Sequence, residues 1–218
     1  MDVVVFGATG PTGVLLCEQA LAAGHSVRAV RRSSGPLPIS DSGLTPIRAD
    51  AVSGEGVREA VLGTDAVLSV LGAPYSRHAI GIYSIGTAHV VEAIRAGARG
   101  NRLVVVSSGL TYPAPAPASG HFGLVAEHVV FPILRNGPGR TLYADMRRME
   151  EYLHTCGDID WTVMRPGRLT KDTAVSNYRL DDNFPTRGYT ARGDLAAAML
   201  AELGPDGHIH RAVAPTTR

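Results

Sequence analysis

Residues 2–6 form a short, almost unbroken apolar run, and behind it Val14, Leu15, Ala20, Leu21 and Ala22 fall at helical spacings until Gly24 offers a stop. A strand feeding a helix is predicted. Val27 to Val30 reads as a second strand, Leu44 to Ile47 as a third, Val57 to Leu62 as a short helix closed by Gly63, and Ala66 to Leu71 as a fourth strand. A helical segment over 79–97 ends at Gly97, and Arg102 to Ser107 follows as another strand. The strands are apolar throughout rather than alternating, as a parallel sheet covered on both faces requires. The predicted fold class is α/β: a doubly wound, mostly parallel sheet.

Beyond this strand the rhythm changes. The prolines within 112–120 fix the backbone and remove donors, so a stiff surface connection is expected there. Residues 121–134 have the pattern of an extra helix, and the whole of 109–140 reads as an insertion at the carboxyl edge of the sheet. Over 141–155, Leu142, Met146, Met149 and Leu153 line one face of a helix. Residues 160–167 read as a strand ending in a proline turn. Residues 168–190 are polar and aperiodic, the composition of a small substrate-side lobe, with a brief strand at Tyr178 to Leu180. A helix over 193–203 and a strand from Ile209 to Ala214 complete a single domain over 1–218.

Composition narrows the function classes only a little. Twenty-one Lys and Arg against twenty Asp and Glu give a formal charge of +1, too balanced for long-range attraction to nucleic acid or an acidic membrane. No stretch has the roughly 18 apolar residues that a bilayer crossing needs, and the first apolar run lacks a secretory flank, so a cytoplasmic protein is expected. Cys17 and Cys156 read as isolated buried thiols. His78, His89, His121, His128, His154, His208 and His210 lie without acidic or Cys partners at ligand spacing, so no metal site is expected.

The chemistry begins where the first strand ends. Gly7, Gly10 and Gly13 stand three apart between strand and helix. Such spacing suits a tight exit, close approach of backbone to a pyrophosphate, and close packing of helix on sheet, with helix N–H groups facing the phosphates. Thr9, Pro11 and Thr12 complete the turn, the two hydroxyls adding donors. A glycine turn without a ligand is the plain alternative. No Lys-Ser/Thr follows, which disfavours a triphosphate loop. Where the second strand ends, an NAD site would place a carboxylate for the ribose diol. This chain has Arg31, Arg32, Ser33 and Ser34 instead, which suit a 2'-phosphate and favour NADP(H) over NAD(H).

Gly7-Ala-Thr-Gly-Pro-Thr-Gly13, Val30-Arg-Arg-Ser33, Ala49-Asp50, Val104-Val-Val-Ser-Ser108, Trp161-Thr-Val-Met-Arg-Pro-Gly167 and Arg192-Gly-Asp-Leu-Ala196 together resemble the atypical short-chain dehydrogenase/reductase superfamily. Within it the chain is most similar to the NmrA-like and flavin reductase (biliverdin IX-beta reductase) branch. The resemblance covers nearly everything except about 112–140. It implies a Rossmann domain holding NADP, with Asp50 and Ala51 near the adenine and Leu71, Gly72 and Ala73 along the cofactor. Ser107 and the turn Arg165-Pro166-Gly167 would then lie beside the nicotinamide. The histidine that this branch carries after its sixth strand corresponds to Gly167 or Arg168 here.

Many short-chain reductases use Ser, Tyr and a Lys four residues on as their proton-donating group. Here Ser107 and Ser108 end the central strand, and Tyr143 is followed four residues later by Arg147, which keeps a charge but does not shuttle a proton. Tyr143 reads either as the acid or as a partly buried helix tyrosine. Ser108 and Tyr112 are alternative donors, His121 and His128 stand in the insertion, and Phe122, Phe131 and Phe184 are candidates for an apolar pocket wall. The leading expectation is an NADPH-dependent reductase passing hydride to a flavin, quinone or related conjugated carbonyl compound. An NmrA-like sensor that binds NADP and acts through a protein partner is the alternative, and an isomerase or epimerase ranks below both. The expected partner is a small, conjugated molecule, with the chain a monomer or dimer.

Overall fold

The computed structural model describes residues 1–33, 35, 37–111, 133, 137, 139–186 and 188–218. The expected donor Tyr112, the histidines at 121 and 128, the phenylalanines at 122 and 131, Ser34 and, apart from residue 133, the helix expected over 121–134 lie outside the described residues.

The strands are β1 (Asp2–Phe6), β2 (Ser26–Arg31), β3 (Leu44–Arg48), β4 (Ala66–Ser69), β5 (Arg102–Val106), β6 (Asp160–Met164), β7 (Arg168–Leu169), β8 (Arg179–Asp182), β9 (Tyr189–Thr190) and β10 (Arg211–Thr216). The helices described are α1 (Pro11–Ala22), α2 (Val57–Val61), α3 (Ser84–Gly97), α4 (Arg140–His154) and α5 (Arg192–Ala201). The main sheet runs β3-β2-β1-β4-β5-β6-β10-β8, parallel except for β8, which pairs antiparallel with β10. It is a doubly wound, mostly parallel α/β fold. Two residue pairs join β7 to β9 as a separate short ladder.

Alternate residues of β1 serve two cores. Val4 and Phe6 pack with Val67, Val90, Ile94, Met149 and Leu153 on the side of α3 and α4. Val3 and Val5 pack with Leu16, Ala20, Leu68, Leu195 and Met199 on the side of α1 and α5. This explains why the run is apolar at every position: neither face reaches water. Pro46 lies in β3, the edge strand, where its missing donor is tolerated.

Three boundaries differ from the sequence pattern for physical reasons. α1 begins at Pro11, ahead of the apolar periodicity, because proline suits a first helical position that has no intrahelical acceptor to supply. α3 begins only at Ser84. There the buried Asp145 of α4 accepts the Tyr83 N–H at 2.9 Å and also the Ser84 hydroxyl, so one helix caps another. Within 168–190, β8 joins the main sheet as its edge strand, with Val213 opposite Asp182 and Thr216 opposite Arg179.

The chain moves outward from β1 to β2 and β3, then returns to β4 on the other side of β1. Connections leave β1 and β4 in opposite directions, which opens a crevice beyond their carboxyl ends.

Candidate active site

A cavity of about 990 Å³ occupies that crevice. Its floor is the turn after β1. Gly7 adopts φ +83°, and a Cβ there would stand 2.7 Å from the Val70 carbonyl oxygen. At Gly13 a Cβ would fall 2.1 Å from the Gly7 oxygen, so α1 can approach the turn only with glycine at that position. Gly10 is different. Its φ of −78° and ψ of 161° suit any residue, and a Cβ would meet nothing closer than 3.4 Å. The protein's own packing therefore does not require glycine at 10, whereas a ligand lying on the turn would.

α1 begins over this floor with no side-chain cap at Gly10 and no acidic residue in its first turn. Its first-turn N–H groups have no acceptor within the helix and carry the positive end of the helix dipole. Thr9, Pro11 and the buried Thr12 complete the lining here.

Arg31 and Arg32 line the cavity where β2 ends, and neither is ion-paired among the described residues. The next wall is the loop after β3. The Asp50 carboxylate accepts the N–H groups of Val52 at 2.8 Å and Ser53 at 3.3 Å, closing a turn on itself. His89 of α3 bonds the Ala51 carbonyl at 2.8 Å and holds this turn from beneath. Leu71, Gly72 and Ala73 continue the wall after β4.

The far end of the cavity holds Ser107, Ser108, Tyr143, Pro166, Gly167 and Phe184. Ser107 donates to the Glu150 carboxylate, as does Thr111 at 2.8 Å, while Arg165 closes on the other oxygen of Glu150 at 2.5 Å. All four side chains are buried. This places the Arg165 guanidinium behind the wall, paired with Glu150 rather than lining the cavity. The Pro166–Gly167 turn, by contrast, does face the cavity.

Two other expected residues stand outside the cavity lining. Ser33 is exposed and does not line the cavity. Arg147 is exposed on α4 and absent from the wall that Leu142, Tyr143 and Met146 supply.

Tyr143 lies with two tyrosines that sequence reasoning missed. Its hydroxyl is 2.9 Å from that of Tyr75, with the rings edge to face at 6.3 Å, and Tyr83 lines the same wall. Burial pushes the Tyr143 hydroxyl well above the ordinary phenol range, and the bond to Tyr75 adds to the rise. Burial raises Tyr83 to about 12 against the opposing pull of the Ala73 backbone. Tyr143 and Tyr83 therefore hold their protons at neutral pH. The signal for Tyr75 was its place directly after the Leu71–Pro74 loop; Tyr83 was hidden by the expectation of helix over 79–97.

Among the described residues, no group of three or more His, Cys, Asp or Glu is arranged to hold a metal ion, and no helix is long and apolar enough to cross a membrane. Cys17 and Cys156 are free and buried.

A glycine floor under a helix start, an arginine pair at the end of β2 that has no ion-pair partner among the described residues, and a long cavity at the switch point define a dinucleotide-binding protein of the Rossmann type. The pattern of the NAD(P)H-binding family matches residues 7–205, and the chain belongs to that family. An uncharacterized chloroplastic protein of Arabidopsis thaliana is 29% identical over 211 residues, covering 92% of this chain and 70% of the relative. Among solved structures, the fold resembles an oxidoreductase of Lactococcus lactis (TM-score 0.81, 17% identity, 100% of this chain and 91% of the other). It also resembles a Streptococcus pneumoniae protein provisionally described as an NADH-flavin reductase (TM-score 0.75, 21% identity, 100% of both chains). A third is a short-chain dehydrogenase/reductase of Veillonella parvula in complex with NADP (TM-score 0.75, 16% identity, 99% and 94% of the chains).

Proposed function

We propose that the protein is an NADPH-dependent reductase that passes hydride to a flavin, quinone or related conjugated carbonyl compound. The observation that carries this reading is the single cavity running from the Gly7–Gly13 floor to Tyr75, Tyr143 and Phe184. It has room for a dinucleotide and the edge of a flat acceptor.

The residues fit the cofactor. Gly10 leaves its side of the turn open to a pyrophosphate, the start of α1 offers N–H donors, and Arg31 and Arg32 favour a 2'-phosphate over the bare ribose diol. When bound, NADPH supplies a hydride. The Ser107–Ser108 segment, braced from behind by Glu150 and Arg165, and the Pro166–Gly167 turn fix the wall against which the reacting rings would be held. Phe184 and Met146 give it an apolar lining. Tyr143, its hydroxyl raised by burial and bonded to that of Tyr75, serves as a hydrogen-bond donor rather than as a strong acid.

That chemistry suits an acceptor whose ring system disperses the incoming charge, so that alignment and dryness matter more than a dedicated acid. NADPH oxidation followed at the nicotinamide absorbance across flavins, quinones and activated aldehydes tests the reading. Turnover with at least one conjugated acceptor is expected; none across the panel, with cofactor binding intact, overturns it.

The imperfect pair of Tyr143 with the exposed Arg147, which stands where short-chain reductases carry a lysine, favours one second reading, a sensor that binds NADP and signals through a protein partner. Tight NADPH binding without turnover, together with a binding partner lost on cofactor removal, is its distinguishing outcome.

A further inference from the structure

A second recess of about 930 Å³ lies against the first, on the other side of Tyr75, a residue that lines both. α4 divides them. Leu142, Tyr143 and Met146 face the cofactor cavity, while Arg140, Thr141, Ala144 and Arg148 face the recess. Thr141 donates to the Ser76 carbonyl at 2.6 Å and pins the loop bearing Tyr75 and Arg77 against the start of α4.

Three guanidinium groups, Arg77, Arg140 and Arg148, surround the recess. Arg148 stands 3.5 Å from the buried Asp145 carboxylate. Arg77 and Arg140 have no acidic partner among the described residues, which leaves two positive charges uncompensated across one concavity. Arg140 is also the first residue of α4, whose first turn contains no acidic side chain. A cation there opposes the helix dipole, a local cost that an anion in the recess would offset.

We propose that this recess binds the phosphate of a phosphorylated acceptor whose conjugated ring enters the cofactor cavity beneath Tyr75 and Tyr143. The inference rests on the reductase reading above for the ring, but the anion site is a property of Arg77 and Arg140 in their own right. Two unpaired guanidinium groups match the charge of a phosphate monoester better than that of a carboxylate, and their forked donors match its oxygens. The hydride acceptor thus gains affinity from a part of the molecule remote from its reacting ring.

The test uses NADP-saturated protein, so that the cofactor's own phosphate sites are filled. Equilibrium dialysis compares flavin mononucleotide with riboflavin, which share a ring and differ in the phosphate, and phosphorus NMR follows inorganic phosphate. Arg77→Ala/Arg140→Ala is the variant; both residues are exposed, so folding is not at stake. About tenfold tighter binding of the mononucleotide, lost in the variant, is expected, with inorganic phosphate broadened by wild type and released by the variant. Equal binding of the two flavins, an advantage that survives in the variant, or neither flavin bound and phosphate not retained, overturns the proposal. Phosphate retained through Arg77 and Arg140 without flavin binding upholds the anion site and rejects the flavin acceptor.

Discussion

Replacing Gly10 by Ala and, separately, Gly13 by Ala divides the structural from the ligand-binding duties of the turn. At Gly13 the new Cβ would stand 2.1 Å from the Gly7 oxygen and 2.8 Å from the Ala8 Cα, both backbone atoms. α1 must then move off the sheet, disturbing the contacts of Leu16 and Ala20 in the core. Overpacking of this kind costs about 1–3 kcal/mol, and with backbone on both sides the upper end is expected. At Gly10 the same methyl finds 3.4 Å of clearance in a conformation open to alanine. Loss of a glycine N-cap is worth at most about 1 kcal/mol and is partly offset by the stiffer unfolded chain. Urea unfolding followed by far-ultraviolet circular dichroism should therefore place Gly10→Ala within about 1 kcal/mol of wild type and Gly13→Ala well below it. Nicotinamide fluorescence should show the reverse emphasis: NADPH affinity of folded Gly10→Ala falls by about tenfold or more, equivalent to 1.4 kcal/mol. A Gly10→Ala protein that binds NADPH as wild type does would refute the pyrophosphate seat.

Other consequences follow from the buried groups. Glu150→Ala strips Arg165 of its carboxylate and should cost about 3–5 kcal/mol in urea unfolding, with Glu150→Gln intermediate; a loss below about 1 kcal/mol would mean the pair does not brace the wall. Cys17 is raised by burial, and secondarily by Glu18, to about 12, and Tyr83 by burial to about 12, so both are neutral in the fold where an unfolded chain begins to ionise. Stability should be complete below about pH 9 and fall towards pH 12 by up to roughly 1.4 kcal/mol per pH unit for each group, and Cys17→Ala should delay the onset to about pH 10. Tyr143→Phe removes the bond to Tyr75 but no strong acid, so kcat with a quinone should fall less than about tenfold, with no new break in the rate profile between pH 6 and 9. A loss of a thousandfold would return Tyr143 to the role of acid.

The sheet was legible because its strands are buried on both faces, and residues such as Val3 to Phe6 announce that by being apolar in succession. The cofactor floor was legible for a similar reason, since Gly7 and Gly13 answer steric demands that no other residue meets. The acid-base end was not. Whether Arg165 faces a ligand or the core depends on Glu150, fifteen residues earlier in another element, and Arg147 turns to solvent although its spacing from Tyr143 looks right. Tyr75 carries no periodic signal, and the delayed start of α3 follows from Asp145, whose capping partner is fixed only when α4 docks. The antiparallel pairing of β8 with β10 likewise arises from topology rather than local pattern.

Arg31 and Arg32 at the end of β2 decide the choice of dinucleotide if the 2'-phosphate reading is right. Titration of wild type, Arg31→Ala and Arg32→Ala with NADPH and with NADH, read by nicotinamide fluorescence, tests it. Tighter binding of NADPH in the wild type, with a preference that shrinks by about tenfold in at least one variant while NADH affinity changes little, is the expected result. Equal affinities in the wild type, or a preference untouched by both substitutions, would contradict it.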